Sequence, residues 1–103
     1  MDIESLLKSL NDHDLKFVVI GAMAFPPHGY ARTTFDIDFA IEPTPKNARR
    51  CHKALSAFGY HMEDCSVEDL LSKKVLIRQY FLECDVHPYV KGVSWKELWK
   101  GKV

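Results

Sequence analysis

The sequence predicts an α/β (α+β) fold in which one small mixed β-sheet is flanked by helices. The continuous apolar run LKFVVIG at 15–21 is typical of a strand that is covered on both faces. Polar and apolar residues alternate in DIDFAIE at 36–42, which predicts a second strand. Helical segments with recognisable first and last residues surround these strands. Together they indicate helices that pack against a sheet.

The helices are predicted from apolar spacing and from capping residues. Residues 2–11 carry apolar side chains at i, i+3, i+4 and i+7. The next helix begins after Thr44, its N-cap, and ends at Gly59. Short helices are expected at 66–72 and 94–100, each with a serine followed three residues later by an acidic residue.

Two further segments have mixed signals. Residues 22–29 start like a helix that opens at Ala22, and Pro26 and Pro27 must distort or end it. Residues 74–90 contain either one long strand or two shorter ones, because no turn residue decides between them. The predicted order is therefore α, β, α, β, α, α, β, α.

Length and composition restrict the class of protein. With 103 residues, the chain is predicted to form a single domain with one ordinary core. Fourteen basic and fourteen acidic residues cancel, so bulk charge does not indicate a nucleic-acid-binding protein. The basic stretch KNARRCHK is interpreted as the solvated face of a helix. No apolar run is long enough to span a bilayer and no signal peptide is recognised, so a cytoplasmic protein without membrane contact is expected.

Three carboxylates are the candidate functional residues. Side chains of a strand alternate between faces, so Asp36 and Asp38 share one face, roughly 6.6–7 Å apart at the backbone. Asp85 lies in a second apolar run, where Glu83 and His87 share its face. If the two strands are neighbours, the three aspartates can hold Mg²⁺ or Mn²⁺, which prefer oxygen ligands. The alternative is that Asp-x-Asp is only a solvated strand edge.

A glycine before these carboxylates favours the functional interpretation. Gly21 is expected to end the first strand and Ala22 to open a helix. Free backbone N–H groups at such a helix start can hold a phosphate. A phosphate cradle followed by a carboxylate pair is not explained by a solvated edge.

The stretch VVIGAMA…HGYARTTFDIDFAI resembles the core motif of the nucleotidyltransferase superfamily, the DNA polymerase β-like fold. The form HGY-x-R-x-T-x-DID is most similar to the branch with the AbiEii-type toxins and the minimal nucleotidyltransferases. The resemblance covers residues 15–42 and extends to 80–88, where ECDVHP is similar to the strand with the third carboxylate. Ala22 departs from the pattern, because many relatives have a serine or a second glycine there.

This resemblance implies a reaction and a set of roles. The reaction would be transfer of a nucleoside monophosphate from a nucleoside triphosphate to a hydroxyl of a protein, a tRNA or a small molecule. The resemblance assigns nucleotide binding to Gly21, Ala22, Arg32 and Thr33, and catalysis and metal binding to Asp36, Asp38 and Asp85. Asp85 would ligate a metal ion near the acceptor hydroxyl.

The acceptor surface and the alternatives stay open. The sequence ends at Val103 without the helical domain that holds the acceptor in larger members of the superfamily, so a homodimer or a helical partner protein is expected. The alternative of a different class is a non-catalytic module with the same fold, acting in a toxin–antitoxin or regulatory complex. Metal-dependent phosphohydrolase activity at the same carboxylates is a third possibility.

Overall fold

The computed structural model describes residues 2–25, 34–80 and 82–101. Its elements follow the order α1 (Ile3–Asp12), β1 (Phe17–Phe25), β2 (Thr34–Ile41), α2 (Pro45–Phe58), α3 (Val67–Ser72), β3 (Val75–Ile77), β4 (Leu82–His87) and α4 (Trp95–Lys100). The predicted mixed sheet with flanking helices is confirmed.

The four strands form one sheet in the order β1-β2-β4-β3. β1 runs antiparallel to β2, β2 runs parallel to β4, and β3 runs antiparallel to β4. The parallel pair β2–β4 is at the centre, and its crossover connection contains α2 and α3, as a parallel pair requires. Functional side chains of β2 and β4 can therefore meet on one face of the sheet.

One face of the sheet carries the hydrophobic core. Side chains of β2 and β4 that point to this face pack with α1, α2 and α3, and they are fully or almost fully buried. The largest of them is Phe39, and an edge-to-face contact joins its ring to Phe17 with centroids 6.0 Å apart. The core residues on the two strands are Ile37, Phe39, Ile41, Leu82, Cys84 and Val86. Because this face is apolar and covered, the polar side chains of the same strands occupy the opposite face.

A buried asparagine joins α2 to both β1 and β2. Asn47 is 2% exposed. Its side-chain Oδ1 accepts from the N–H of Lys16 at 2.9 Å, and its Nδ2 donates to the carbonyls of Lys16 at 2.9 Å and Glu42 at 3.0 Å. These bonds fix the start of β1 and the end of β2 against the helix.

Local signals predicted the helices well. Thr44 caps α2, Gly59 ends it, and capping boxes begin α3 and α4, as predicted. Residues 74–90 contain two strands rather than one long strand. Among the described helices, none has the length and apolar character that a membrane span requires.

The helix predicted to open at Ala22 is wrong as far as the structure describes it, because β1 continues to Phe25. Residues Ala22 to Phe25 pair with β2 from Ile37 to Thr34. Their backbone N–H and C=O groups therefore form hydrogen bonds between strands rather than within a helix. Pro26 and Pro27 lie outside the described residues.

Candidate metal centre

Acidic side chains of β2 and β4 meet on the sheet face opposite the core. In the parallel register Asp38 lies beside Asp85, and Asp36 lies beside Glu83. The two strands are therefore neighbours, which is the condition on which a shared site depends. Two strands thus place four carboxylates on one surface.

The tightest group on this surface consists of Asp38, Asp85 and His87. One potential ligand atom from each of these residues lies within 4.8 Å of the others. His87 Nε2 is 2.9 Å from Asp38 Oδ1, and since an ionised carboxylate only accepts, the Nε2–H donates. The side chain of Asp85 is 8% exposed, whereas that of Asp38 is 32% exposed. The group is open to solvent from the side of Asp38.

The guanidinium of Arg78 offsets part of the negative charge on this surface. Arg78 Nη1 and Nη2 donate to the two oxygens of Asp85 at 2.5 and 3.3 Å. Its Nε lies 2.8 Å from Glu83 Oε2, and its Nη1 lies 3.9 Å from Asp36 Oδ1. The bidentate bond to Asp85 is the geometry that arginine makes with a carboxylate when it binds firmly. Like charges on neighbouring strands are tolerated because this cation lies among them.

Asp36 carries a buried oxygen that no donor of the described residues satisfies. Its Oδ1 is buried and has no hydrogen-bond partner among the described residues, since 3.9 Å to Arg78 is too long for a bond. Burial, followed by the negative charges of Asp85 and Asp38, raises the pKa of Asp36 above its ordinary value. A buried acceptor without a donor is costly for the fold, and a cation on this face would relieve it. The donor set fits a divalent cation.

Gly21 borders the group from the neighbouring strand. A β-bulge between Val19 and Gly21 makes Ile20 the extra residue and places Gly21 opposite Asp38. A Cβ atom at Gly21 would lie 3.7 Å from Asp38 Oδ2, the oxygen that does not bind His87. The bulge sets Gly21 opposite Asp38, and because glycine has no side chain the space beside this oxygen stays free.

The four residues predicted to bind nucleotide differ in outcome. Gly21 and Ala22 lie inside β1, so the helix start that was to supply their free N–H groups is absent. The backbone at these residues pairs with β2 instead of starting a helix. A nucleotide-binding role for Gly21 and Ala22 stays a prediction. Arg32 and Thr33 lie outside the described residues.

Sequence reasoning missed Arg78 and did not assign His87 to the site. His87 could have been found from strand alternation, whereas Arg78 depends on how β3 pairs with β4. His87 shares the face of Asp85. Leu76 of β3 pairs with Asp85 of β4, and Arg78 lies two residues after Leu76 and therefore on the same face. A single strand over 74–90 would have hidden this relation, because it contains no antiparallel pair.

The fold and the site define a mixed-sheet α/β protein with a carboxylate–imidazole group on the open face of its central strands. No family model matches the chain, and neither the curated proteins nor the solved structures contain a match.

Proposed function

We propose that the protein is a metal-dependent nucleotidyltransferase, which transfers a nucleoside monophosphate from a nucleoside triphosphate to a hydroxyl acceptor. One observation carries the proposal: Asp38 and Asp85 lie side by side on parallel strands, with Asp36 and His87 on the same open face. Such a surface requires positive charge and leaves solvent access for a phosphorylated substrate.

The proposal assigns a part in this reaction to each residue of the group. Asp38, Asp85 and His87 would hold Mg²⁺ or Mn²⁺, and Asp36 would add a further oxygen from the same face. When bound, the metal neutralises the charge that develops on the phosphate and lowers the pKa of the acceptor hydroxyl. The hydroxyl oxygen bonds to the α-phosphorus, its proton leaves to solvent, and the bond to pyrophosphate breaks. Gly21 keeps the approach to Asp38 open.

A second function is favoured by Arg78. Because its guanidinium pairs with Asp85 and Glu83, part of the negative charge on this face is balanced without any metal. A non-catalytic module with this fold, acting in a toxin–antitoxin or regulatory complex, would use this ion pair in place of a metal. In that case Arg78 would stabilise the fold permanently, and the protein would act through a partner chain.

A homodimer or a helical partner protein would provide the acceptor surface in the catalytic case.

The experiment is incubation with nucleoside triphosphates, Mn²⁺ or Mg²⁺ and a cell extract, in parallel reactions labelled at the α- or the γ-phosphate. Transfer predicts α-label on protein, RNA or a small molecule and γ-label in pyrophosphate. A phosphohydrolase would instead release labelled inorganic phosphate from the γ position. Asp38→Asn should abolish transfer, whereas Asp64→Asn, a change at an exposed aspartate in the turn between α2 and α3, should not.

Binding provides a second test that needs no acceptor. Millimolar Mn²⁺ should raise the melting temperature, because a ligand that binds only the folded state stabilises it. The increase should be lost in Asp38→Asn. No transfer of either label, combined with no metal-dependent stabilisation, would favour the non-catalytic module.

A further inference from the structure

Arg78 and a metal ion would need the same oxygens. The guanidinium engages both carboxylate oxygens of Asp85, at 2.5 and 3.3 Å. Asp85 is also one of the three residues of the candidate metal group. A divalent cation at Asp38, Asp85 and His87 would lie within a few ångströms of a fixed positive charge. Because the two cations repel each other and compete for one buried carboxylate, they cannot both bind it firmly.

The position of Arg78 allows it to move without leaving the site. Its side chain is 44% exposed, so the guanidinium can turn toward solvent without leaving a cavity in the core. Its Nε lies 2.8 Å from Glu83 Oε2, and Glu83 does not belong to the candidate metal group. Release from Asp85 would therefore leave the guanidinium at the rim, held by Glu83 and with Nη1 and Nη2 unpaired.

A guanidinium with two free donors is a strong ligand for a phosphate group. A triphosphate bound to the metal would lie on the same sheet face as the guanidinium, which Glu83 holds beside Asp85. The guanidinium of Arg78 can thus bind one of two anions: the carboxylate of Asp85 or the polyphosphate of a substrate.

We propose that Arg78 occupies the carboxylate face in the metal-free protein, that divalent cation binding at Asp85 displaces it, and that the released guanidinium then binds the polyphosphate. The second step rests on the proposed function, whereas the first concerns metal binding alone. The proposal assigns a substrate-binding role to a residue outside the metal group. It also predicts effects of opposite sign from one substitution.

The test is Arg78→Met, with two dissociation constants measured by calorimetry. Without the competing charge, Mn²⁺ should bind about tenfold more tightly than to the wild type. Inorganic tripolyphosphate, added at saturating Mn²⁺, should bind about tenfold more weakly, because its guanidinium partner is gone. Tripolyphosphate is the probe because it presents the phosphate chain without any base.

Three further variants control the interpretation. Arg78→Lys keeps the charge, so its affinity for Mn²⁺ should remain close to the wild-type value. Arg78→Gln replaces Arg78→Met if the methionine variant does not fold, as judged by circular dichroism. Arg49→Met removes an arginine from the exposed surface of α2 and should change neither constant.

The outcomes separate this inference from the proposed function. Wild-type protein that binds Mn²⁺ no more weakly than Arg78→Met would overturn the displacement, while the metal centre stands. Tighter Mn²⁺ binding with unchanged tripolyphosphate affinity would overturn the transfer of Arg78 to phosphate. If neither protein binds Mn²⁺ at millimolar concentration, both the inference and the nucleotidyltransferase proposal are wrong.

Discussion

Replacement of Asn47 by alanine should destabilise the fold by about 3 kcal/mol. The side chain is 2% exposed and makes three hydrogen bonds of 2.9, 2.9 and 3.0 Å with the backbones of Lys16 and Glu42. Each such bond contributes ~1 kcal/mol net, and the N–H of Lys16 would lose its acceptor in the partly buried junction. For a domain of this size, the loss corresponds to a decrease of ~15 °C in melting temperature.

Asn47→Asp tests the hydrogen bonds separately from packing, because it keeps the shape of the side chain and removes its amide donors. An ionised carboxylate can still accept from Lys16 N–H, but it cannot donate to the carbonyls of Lys16 and Glu42. At neutral pH this variant should be less stable than Asn47→Ala, since a buried charge then faces two acceptors.

The assay is urea unfolding of metal-free protein, followed by circular dichroism. Asn11→Ala, at an exposed position of α1, is the matched control and should change the free energy of unfolding by no more than ~0.5 kcal/mol. A loss below ~1 kcal/mol for Asn47→Ala would show that the three bonds do not stabilise the junction. Asn47→Asp as stable as the wild type would refute the assignment of the amide donors.

Three other predictions concern the site and a helix cap. Gly21→Val should fold but weaken Mn²⁺ binding about tenfold, since the valine side chain would cover Asp38, and Gly21→Ala should have a smaller effect. Equal Mn²⁺ affinity in the wild type and both variants would contradict this. His87→Asn should shift metal preference from Mn²⁺ toward Mg²⁺ by about tenfold in the ratio of dissociation constants, because the imidazole is the nitrogen ligand; an unchanged ratio would remove His87 from the centre. A backbone hydrogen bond from Ser66 lowers the pKa of Asp69. The stabilising effect of the Asp69 carboxylate should therefore be complete above the ordinary carboxyl pKa and disappear as the pH falls through the lowered pKa of Asp69. The stability difference between wild type and Asp69→Ala, measured against pH, should therefore decrease in acid, and a constant difference would contradict it.

The sequence alone determined the elements whose signals are local. Helix caps act through hydrogen bonds over three or four residues, and for this reason the ends of α2 and the capping boxes at Ser66 and Ser94 were predicted correctly. The shared face of Asp36 and Asp38 follows from strand alternation in the same way. For Asp85, only its face could be predicted, because its neighbours belong to other strands.

The tertiary structure decided what depends on pairing between distant segments. The stretch after Gly21 looked helical, yet pairing with β2 made it a strand. A bulge then set Gly21 opposite Asp38, and the parallel register set Asp85 beside the same residue. Arg78 reaches these carboxylates only because β3 pairs with β4. Propensity and periodicity are properties of neighbouring residues, whereas register is fixed by the burial and hydrogen bonding of the whole sheet, and the site is a product of register.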